Sequence, residues 1–314
     1  MKPQYWMSVF AALLLTPQIH AARTAYPGTI NYVEGKVAIN GQPLGTKQAG
    51  DAALEADQLL TTEQGKAEVL LSPGAFLRVG SNSEIRMISP GLADPKVEIL
   101  RGEAMVEVDN KPKSARLAVL ERGYDTTLLK EGLYKFDADE GKVSVIDGKA
   151  EIGDKQFGKG REVVLNGGPL KPEKFDRNAK DELYRWSEVR SNYLAQVNES
   201  TARTVYVNGG GGYGFGPGWA WNPYFSAWSW LPGDGFFYSP FGYPFFSPGY
   251  VIYSPRYSSG FYPRGGRFIG GSRSRAIAPR AMAAPRSMAA PRTMAPRAMP
   301  APRSFGGGGH FGRR

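Results

Sequence analysis

Residues 142–152 read Lys-Val-Ser-Val-Ile-Asp-Gly-Lys-Ala-Glu-Ile, and their pattern occurs twice more. It returns as Ile30-Asn-Tyr-Val33-Glu-Gly35-Lys-Val37-Ala-Ile39 and as Val97-Glu-Ile-Leu100-Arg-Gly102-Glu-Ala104-Met-Val106. The shared template is apolar, any, apolar, apolar, any, Gly, any, small, any, apolar. Apolar residues at alternate positions suit a strand with one buried face, and a glycine tolerates the positive φ of a turn or bulge. The reading is strand, glycine turn or bulge, strand. The copies begin at residues 30, 97 and 143, so their spacings are unequal. That argues against a fixed-period solenoid.

The surrounding chain supports the same class. Ala67–Leu71 and Ala75–Val79 flank Ser72-Pro73-Gly74, while Leu133–Phe136 and Val143–Ile146 flank Asp139-Glu140-Gly141. Short alternating runs broken by such signals predict antiparallel hairpins. No helical pattern interrupts residues 28–170, which argues against βαβ units. The expected fold is all-β, an antiparallel sandwich or an irregular solenoid-like stack of hairpins. One amphipathic helix and a disordered tail are expected to follow. After Pro172 the period lengthens: Leu183, Trp186, Val189, Tyr193 and Val197 predict a helix from about Asp176 to Asn198, with that stripe inward.

Composition sets the outer limits. There are no cysteines, and the two histidines are His20 and His310. Disulfides, thiolate chemistry and Cys zinc sites are thereby excluded, and a His-rich metal site is disfavoured. Lys2, the apolar run 7–15 and the small residues at 21–22 resemble a cleavable export signal; a run that short cannot cross a bilayer, which needs about 20 residues. A periplasmic or extracellular address is expected, with no transmembrane helix in the mature chain. Residues 206–314 carry 12 Arg, no Lys and one acid, Asp234, so they hold +11 of a chain whose net charge is +10. They also hold 21 Gly and 14 Pro, a low-complexity composition.

The expected organisation is a signal peptide at 1–22, a β domain at 23–170 and a helical segment at 171–203. A Gly/Pro/aromatic-rich segment at 204–262 and an Arg/Ala/Pro/Gly-rich disordered tail at 263–314 complete it. Two surfaces are candidate sites. Trp219, Trp221, Trp228 and Trp230 offer rings that either pack on the body or meet sugars and cations. Arg280, Arg286, Arg292, Arg297 and Arg303, each in an Ala-Pro-Arg repeat, suit an anionic envelope polymer or membrane surface. A protein partner is also compatible, whereas nucleic acid fits the expected address poorly. No residue pattern specifies a cofactor, a metal or a catalytic group. Asp137-Ala-Asp139-Glu140-Gly141 has a fragment of a calcium loop but reads as a solvated turn, and Asn198-Glu199-Ser200 is a formal glycosylation sequon.

The stretches INYVEGKVAING, DQLLTTEQGKAEVLL, GAFLRVGSNSEIRM and VEILRGEAMVEV, in that order within Gly28–Val119, resemble the FecR-like periplasmic domain family. The family's turn is represented by Leu77-Arg78-Val79-Gly80-Ser81-Asn82-Ser83, and its closing hairpin by residues 142–152. Glu131-Gly132-Leu133-Tyr134 departs from the family's Gly-Thr step. The resemblance implies an all-β, non-enzymatic domain outside the inner membrane. The family's sigma-factor regulator also needs a cytoplasmic part and a membrane helix before the domain, so that role is not carried over. The expectation is an exported, non-catalytic binding or scaffolding protein of the cell envelope. The alternatives are an envelope signalling adaptor of FecR type and a polysaccharide-acting enzyme.

Overall fold

The computed structural model describes residues 24–210 and 217–254. The chain divides into two compact units, Met1–Gly265 and Gly266–Arg314, and every described residue belongs to the first. The expected signal segment and the five Ala-Pro-Arg arginines lie outside the described residues.

Fifteen strands form one sheet. They are β1 (Ile30–Ile39), β2 (Gln42–Pro43), β3 (Leu59–Ser72), β4 (Ala75–Val79), β5 (Glu84–Ser89), β6 (Lys96–Arg101), β7 (Glu103–Val108), β8 (Ala118–Glu121), β9 (Tyr124–Leu128), β10 (Gly132–Asp137), β11 (Lys142–Asp147), β12 (Lys149–Ile152), β13 (Lys155–Gly158), β14 (Arg161–Val164) and β15 (Glu173–Lys174). The order is β13-β12-β9-β8-β6-β5-β3-β4-β7-β10-β11-β14-β15, with β1 beside β3 and β2 beside β1. All pairs are antiparallel except β6 with β8. The long strand β3 is the spine. Its Leu59–Thr61 end pairs with β5, and its Ala67–Ser72 end pairs with β4. The sheet therefore curls into two wings. The first holds β5, β6, β8, β9, β12 and β13; the second holds β4, β7, β10, β11, β14 and β15.

The all-β reading holds, and the hairpins β3–β4 and β10–β11 form where the turn signals place them. The repeated glycine template does something else. β6 and β7 flank Gly102 yet do not pair; β6 lies in the first wing and β7 in the second. The chain crosses back at Gly148, from β11 to β12. The copy at 30–39 is one strand, bulged just after Gly35, that runs along β3 past both wings. At Gly102 and Gly148 the template thus marks a corner between the wings and not a hairpin, whereas at Gly35 it marks a bulge, one of the two forms expected of it. Each corner is too tight for a side chain. A Cβ on Gly102 (φ +74°) would sit 2.3 Å from Ser83 Oγ, and one on Gly148 (φ +98°) 2.3 Å from Tyr134 Oη.

The apolar core fills the space between the wings. Ile85, Met87, Val97, Ile99 and Val119 come from the first wing; Leu77, Val79, Val106, Phe136 and Val145 come from the second. In the first wing the strands alternate buried with half-buried residues, so its outer face meets solvent. In the second wing β4 is buried on both faces. Its outer cover is helix α1 (Glu182–Val205), whose first turn is capped by Asp181 accepting from the Tyr184 N–H at 2.7 Å. Two small hairpins lie against α1: β16 (Gly218–Asn222) with β17 (Ala227–Leu231), and β18 (Phe236–Tyr238) with β19 (Pro244–Phe246).

Candidate functional site

The outer face of the second wing is where the polar chemistry collects. Glu68 on β3 and Arg78 on β4 are cross-strand partners, and Glu107 on β7 lies one step diagonally from Arg78. All three are fully buried. Arg78 Nε donates to Glu68 Oε2 at 2.9 Å, and Arg78 Nη1 donates to Glu107. The helix completes the layer. Arg190 Nη2 donates to Glu68 Oε1 at 2.8 Å, and Ser191 Oγ to Glu107 Oε1 at 2.6 Å. The Arg190 guanidinium also lies over the Tyr32 and Tyr193 rings, at 4.1 and 4.8 Å. Asn31 donates to Glu68 and also pairs with the backbone of Trp228.

Two buried arginines face two buried glutamates here. Burial pushes the Glu68 carboxyl up, but Arg190 and Arg78 outweigh it and hold Glu68 below the usual carboxylate range. Asp109 goes the other way. Burial first, then the nearby Glu107, raises its carboxyl well above normal, which favours its protonated form and keeps the layer close to neutral. These groups are consumed in holding the helix to the sheet. Within the layer, Arg78 Nη2, Arg190 Nε and both Asp109 oxygens lack a hydrogen-bond partner.

Beyond the start of α1 the same sheet face opens into a groove of about 420 Å³. Lys135, Lys142 and Glu162 project from the strands, while Arg177, Lys180 and Tyr184 come from the approach to the helix and its first turn. Charges of both signs alternate. Lys135 Nζ donates to Glu103 at 2.7 Å and to Asp181 at 2.6 Å. Burial opposes the Lys135 charge, but Asp181 and Glu103 outweigh it and hold the ammonium above its ordinary value. Lys180 lies 4.7 Å over the Tyr184 ring.

The sequence candidates fall in different places. Trp228 and Trp230 are core residues and offer no ring to an outside ligand. Trp228 Nε1 donates to the Gly50 carbonyl, and Trp230 packs on Phe237 and Phe245. Trp219 and Trp221 are half-buried, against Phe76 and Trp228 respectively. Among the described residues 217–254, the exposed rings are instead Tyr224, Phe236, Phe237, Tyr238, Tyr250 and Tyr253. Asp137 caps the β10–β11 turn by accepting from the N–H groups of Asp139 and Glu140, as a solvated turn does. Asn198 is buried, its amide donating to the carbonyls of Trp230 and Phe246, so the sequon is closed. Among the described residues no cluster of potential metal ligands occurs, and no helix is long and apolar enough to cross a membrane.

The expected helix stripe is also rephased. Leu183 and Val197 are buried, but Val189 is 61% exposed, while Ser187, Arg190, Ser191 and Asn198 point inward. The helix's buried face is mixed: Ser187, Arg190 and Ser191 meet the ionic layer, while Leu194 and Ala195 pack with Leu70, Phe76, Trp228 and Trp230. The missed signal was a match between two elements: polar residues at helical spacing opposite Glu68, Arg78 and Glu107 at strand spacing.

This architecture defines a curled all-β domain with a helical cover. Residues 57–151, from the start of β3 almost to the end of β12, match the family described as FecR protein, and the chain carries a FecR domain there. No curated protein matches the chain. Among solved structures it is similar to two crystal structures of a proposed anti-sigma factor from Parabacteroides distasonis. Identity is 17% and the TM-score 0.33 in both cases. The match covers 44% of this chain and 62% and 63% of those chains, less than two thirds of their length.

Proposed function

We propose that this chain is a non-catalytic adaptor of the cell envelope, of FecR type, that engages a protein partner through the groove on its second wing. The observation that carries this reading is the FecR match itself, because it spans the strands of both wings and the corners joining them. The groove supports it: its alternating charges suit a polypeptide bearing both signs better than a single small ion. The buried acids of the covered face are tied into ion pairs with the helix, an arrangement that serves structure and not acid–base chemistry. The FecR family's address and the export-like residues 1–22 support an envelope location. The arginines at 280, 286, 292, 297 and 303 would add a weak, salt-sensitive hold on anionic polymer or lipid, each worth about 1 kcal/mol at most near such a surface.

The test is photo-crosslinking of the full chain in isolated envelope. A crosslinking residue at position 142 in the groove is compared with one at position 84 on the outer face of the first wing. A discrete protein adduct from position 142, reduced in Lys135→Glu and insensitive to 0.5 M salt, supports the reading. Equal labelling from both positions overturns it. The five-arginine Gln variant should lose only the salt-sensitive fraction of envelope retention; retention unchanged by that variant removes the tail from the proposal.

A further inference from the structure

Three Asn-Gly pairs occur in the chain: Asn40-Gly41, Asn166-Gly167 and Asn208-Gly209. In such a pair the glycine has no side chain to shield its backbone nitrogen from the asparagine Cγ. The sequence makes the three alike, and the structure separates them. Asn40 is held twice: its N–H donates to the Leu59 carbonyl and its Oδ1 accepts from the Leu59 N–H, each at 2.9 Å. Asn208 lies in the helical turn Tyr206–Gly210 that follows α1. A helical side chain points back toward the helix N-terminus, away from the next peptide nitrogen. Asn166 has neither restraint. It is exposed in the link between β14 and β15, and the glycine after it has φ +81° with open space around it. Its Oδ1 accepts from the Gly168 N–H at 3.1 Å, so the side chain folds over the Gly167 peptide.

We infer that Asn166 is a site of spontaneous deamidation, with its own side-chain amide as the substrate and water as the co-reactant. The Gly167 nitrogen, after losing its proton to hydroxide, attacks Asn166 Cγ. A C–N bond forms and closes a five-membered succinimide; the Cγ–Nδ2 bond breaks, and ammonia leaves with a proton taken from water. Water then adds to one of the two imide carbonyls and breaks its bond to nitrogen, which leaves aspartate or isoaspartate at position 166. The net change is gain of water and loss of ammonia. The Gly168 N–H serves the first step, because Oδ1 gains negative charge as the nitrogen attacks and this donor is already aimed at it. The product carries one more negative charge, and isoaspartate also lengthens the main chain between β14 and β15. Phe175, Asp176 and Arg177, which line the groove, follow β15 directly. The modification therefore acts on the segment that leads into the groove, whatever the groove binds.

Incubation of the full chain at pH 8 and 37 °C in water enriched in oxygen-18, followed by digestion and mass spectrometry, tests the inference. The peptide holding Asn166 is expected to exchange its amide for labelled carboxyl, with aspartate and isoaspartate forms separating on chromatography. It should do so at least about threefold faster than the peptides holding Asn40 and Asn208, which must first open locally. The same chain unfolded in 8 M urea should lose that ranking, and the three rates should converge, because the fold is what distinguishes the sites. Two results overturn the inference. One is conversion at Asn166 no faster than at Asn40 or Asn208 in the folded chain. The other is a ranking that survives unchanged in urea, which places its cause in the neighbouring sequence and not in the Asn166 geometry.

Discussion

Two layers meet at the second wing, and they are held by opposite means. On its inner face Leu77, Val79 and Val106 join the apolar core shared with the first wing. On its outer face Arg78, Glu68 and Glu107 pack against the helix, equally buried but charged. Neighbours in the chain serve different layers, because successive residues of a strand point to opposite faces. An apolar layer tolerates sliding and substitution of similar volume. An ionic layer tolerates neither: each charge has a fixed partner, and Arg190 and Ser191 meet those partners only in one helix position. The inner layer supplies burial, and the outer one supplies the docking register of the helix.

The sharpest way to break this comparison is to truncate adjacent residues. Leu77→Ala should cost about 2–5 kcal/mol, as removal of a buried leucine does. Arg78→Met should cost about 3–5 kcal/mol, because Glu107 then keeps a buried charge without its guanidinium partner. Urea unfolding of both variants measures this. Restoring electrical balance separates the two layers further. Adding Glu68→Gln and Glu107→Gln to Arg78→Met should recover part of the Arg78 loss, whereas the same glutamate changes should not rescue Leu77→Ala. A loss of under 1 kcal/mol for Arg78→Met would show that the outer layer is wet and contributes little.

How much of this was legible in the sequence follows the same division. Ala67–Leu71 and Ala75–Val79 alternate around Pro73-Gly74, a local signal for a local hairpin, and that hairpin forms. The glycine template is ambiguous, because strand-Gly-strand looks the same whether the chain reverses, bulges as it does at Gly35, or crosses to another wing as it does at Gly102 and Gly148. The distinction lies in pairing with β3, β9 and β14, which are remote in sequence. The ionic layer was hidden for a different reason. Glu68, Arg78 and Glu107 sit where the solvent face of a half-buried strand would carry charges, so alternation alone assigns them to water. The aromatic richness of 206–262 is legible as a class, but composition does not separate the core rings of Trp228 and Trp230 from the exposed ones at 236–253.

The inner layer has an exception that sharpens the contrast through pH. Glu121 on β8 is fully buried, in register with the core residue Ile99, and neither carboxylate oxygen has a hydrogen-bond partner. Burial, with some help from Asp137, pushes its carboxyl up to about 8. The unfolded chain releases that proton near pH 4.5, so folding retains a proton between about pH 4.5 and pH 8. Stability from this group is complete below that window and is lost as pH rises through it. Glu121→Gln should therefore flatten the pH profile and stabilise the protein at pH 8 by about 1–3 kcal/mol, below the ceiling set by about 1.4 kcal/mol per pKa unit. Thermal melts at pH 5 and pH 8 check it: the variant's advantage should be largest at pH 8 and shrink at pH 5. A parallel offset at both values would mean that Glu121 is already ionised in the folded protein.

The smallest expected effect is the most pointed test of the helix's polar face. An apolar stripe through Leu183, Trp186, Val189, Tyr193 and Val197 would make Val189 a contact residue, yet it faces solvent. Val189→Lys should change stability by less than about 0.5 kcal/mol, as exposed substitutions do. Two residues on, Ser191 carries a small hydroxyl that reads as a solvent-side residue, yet it is buried and donates to Glu107. Ser191→Ala should cost about 1–3 kcal/mol, because a buried carboxylate loses a donor that no water replaces. Urea midpoints for the two variants decide between the faces. A larger loss at Val189 than at Ser191 would mean that the helix sits rotated on the wing, its apolar stripe inward and Arg190 withdrawn from Glu68. The reverse order means that the register of the helix is set by hydrogen bonds to the buried acids, and that its outward valine is free to change.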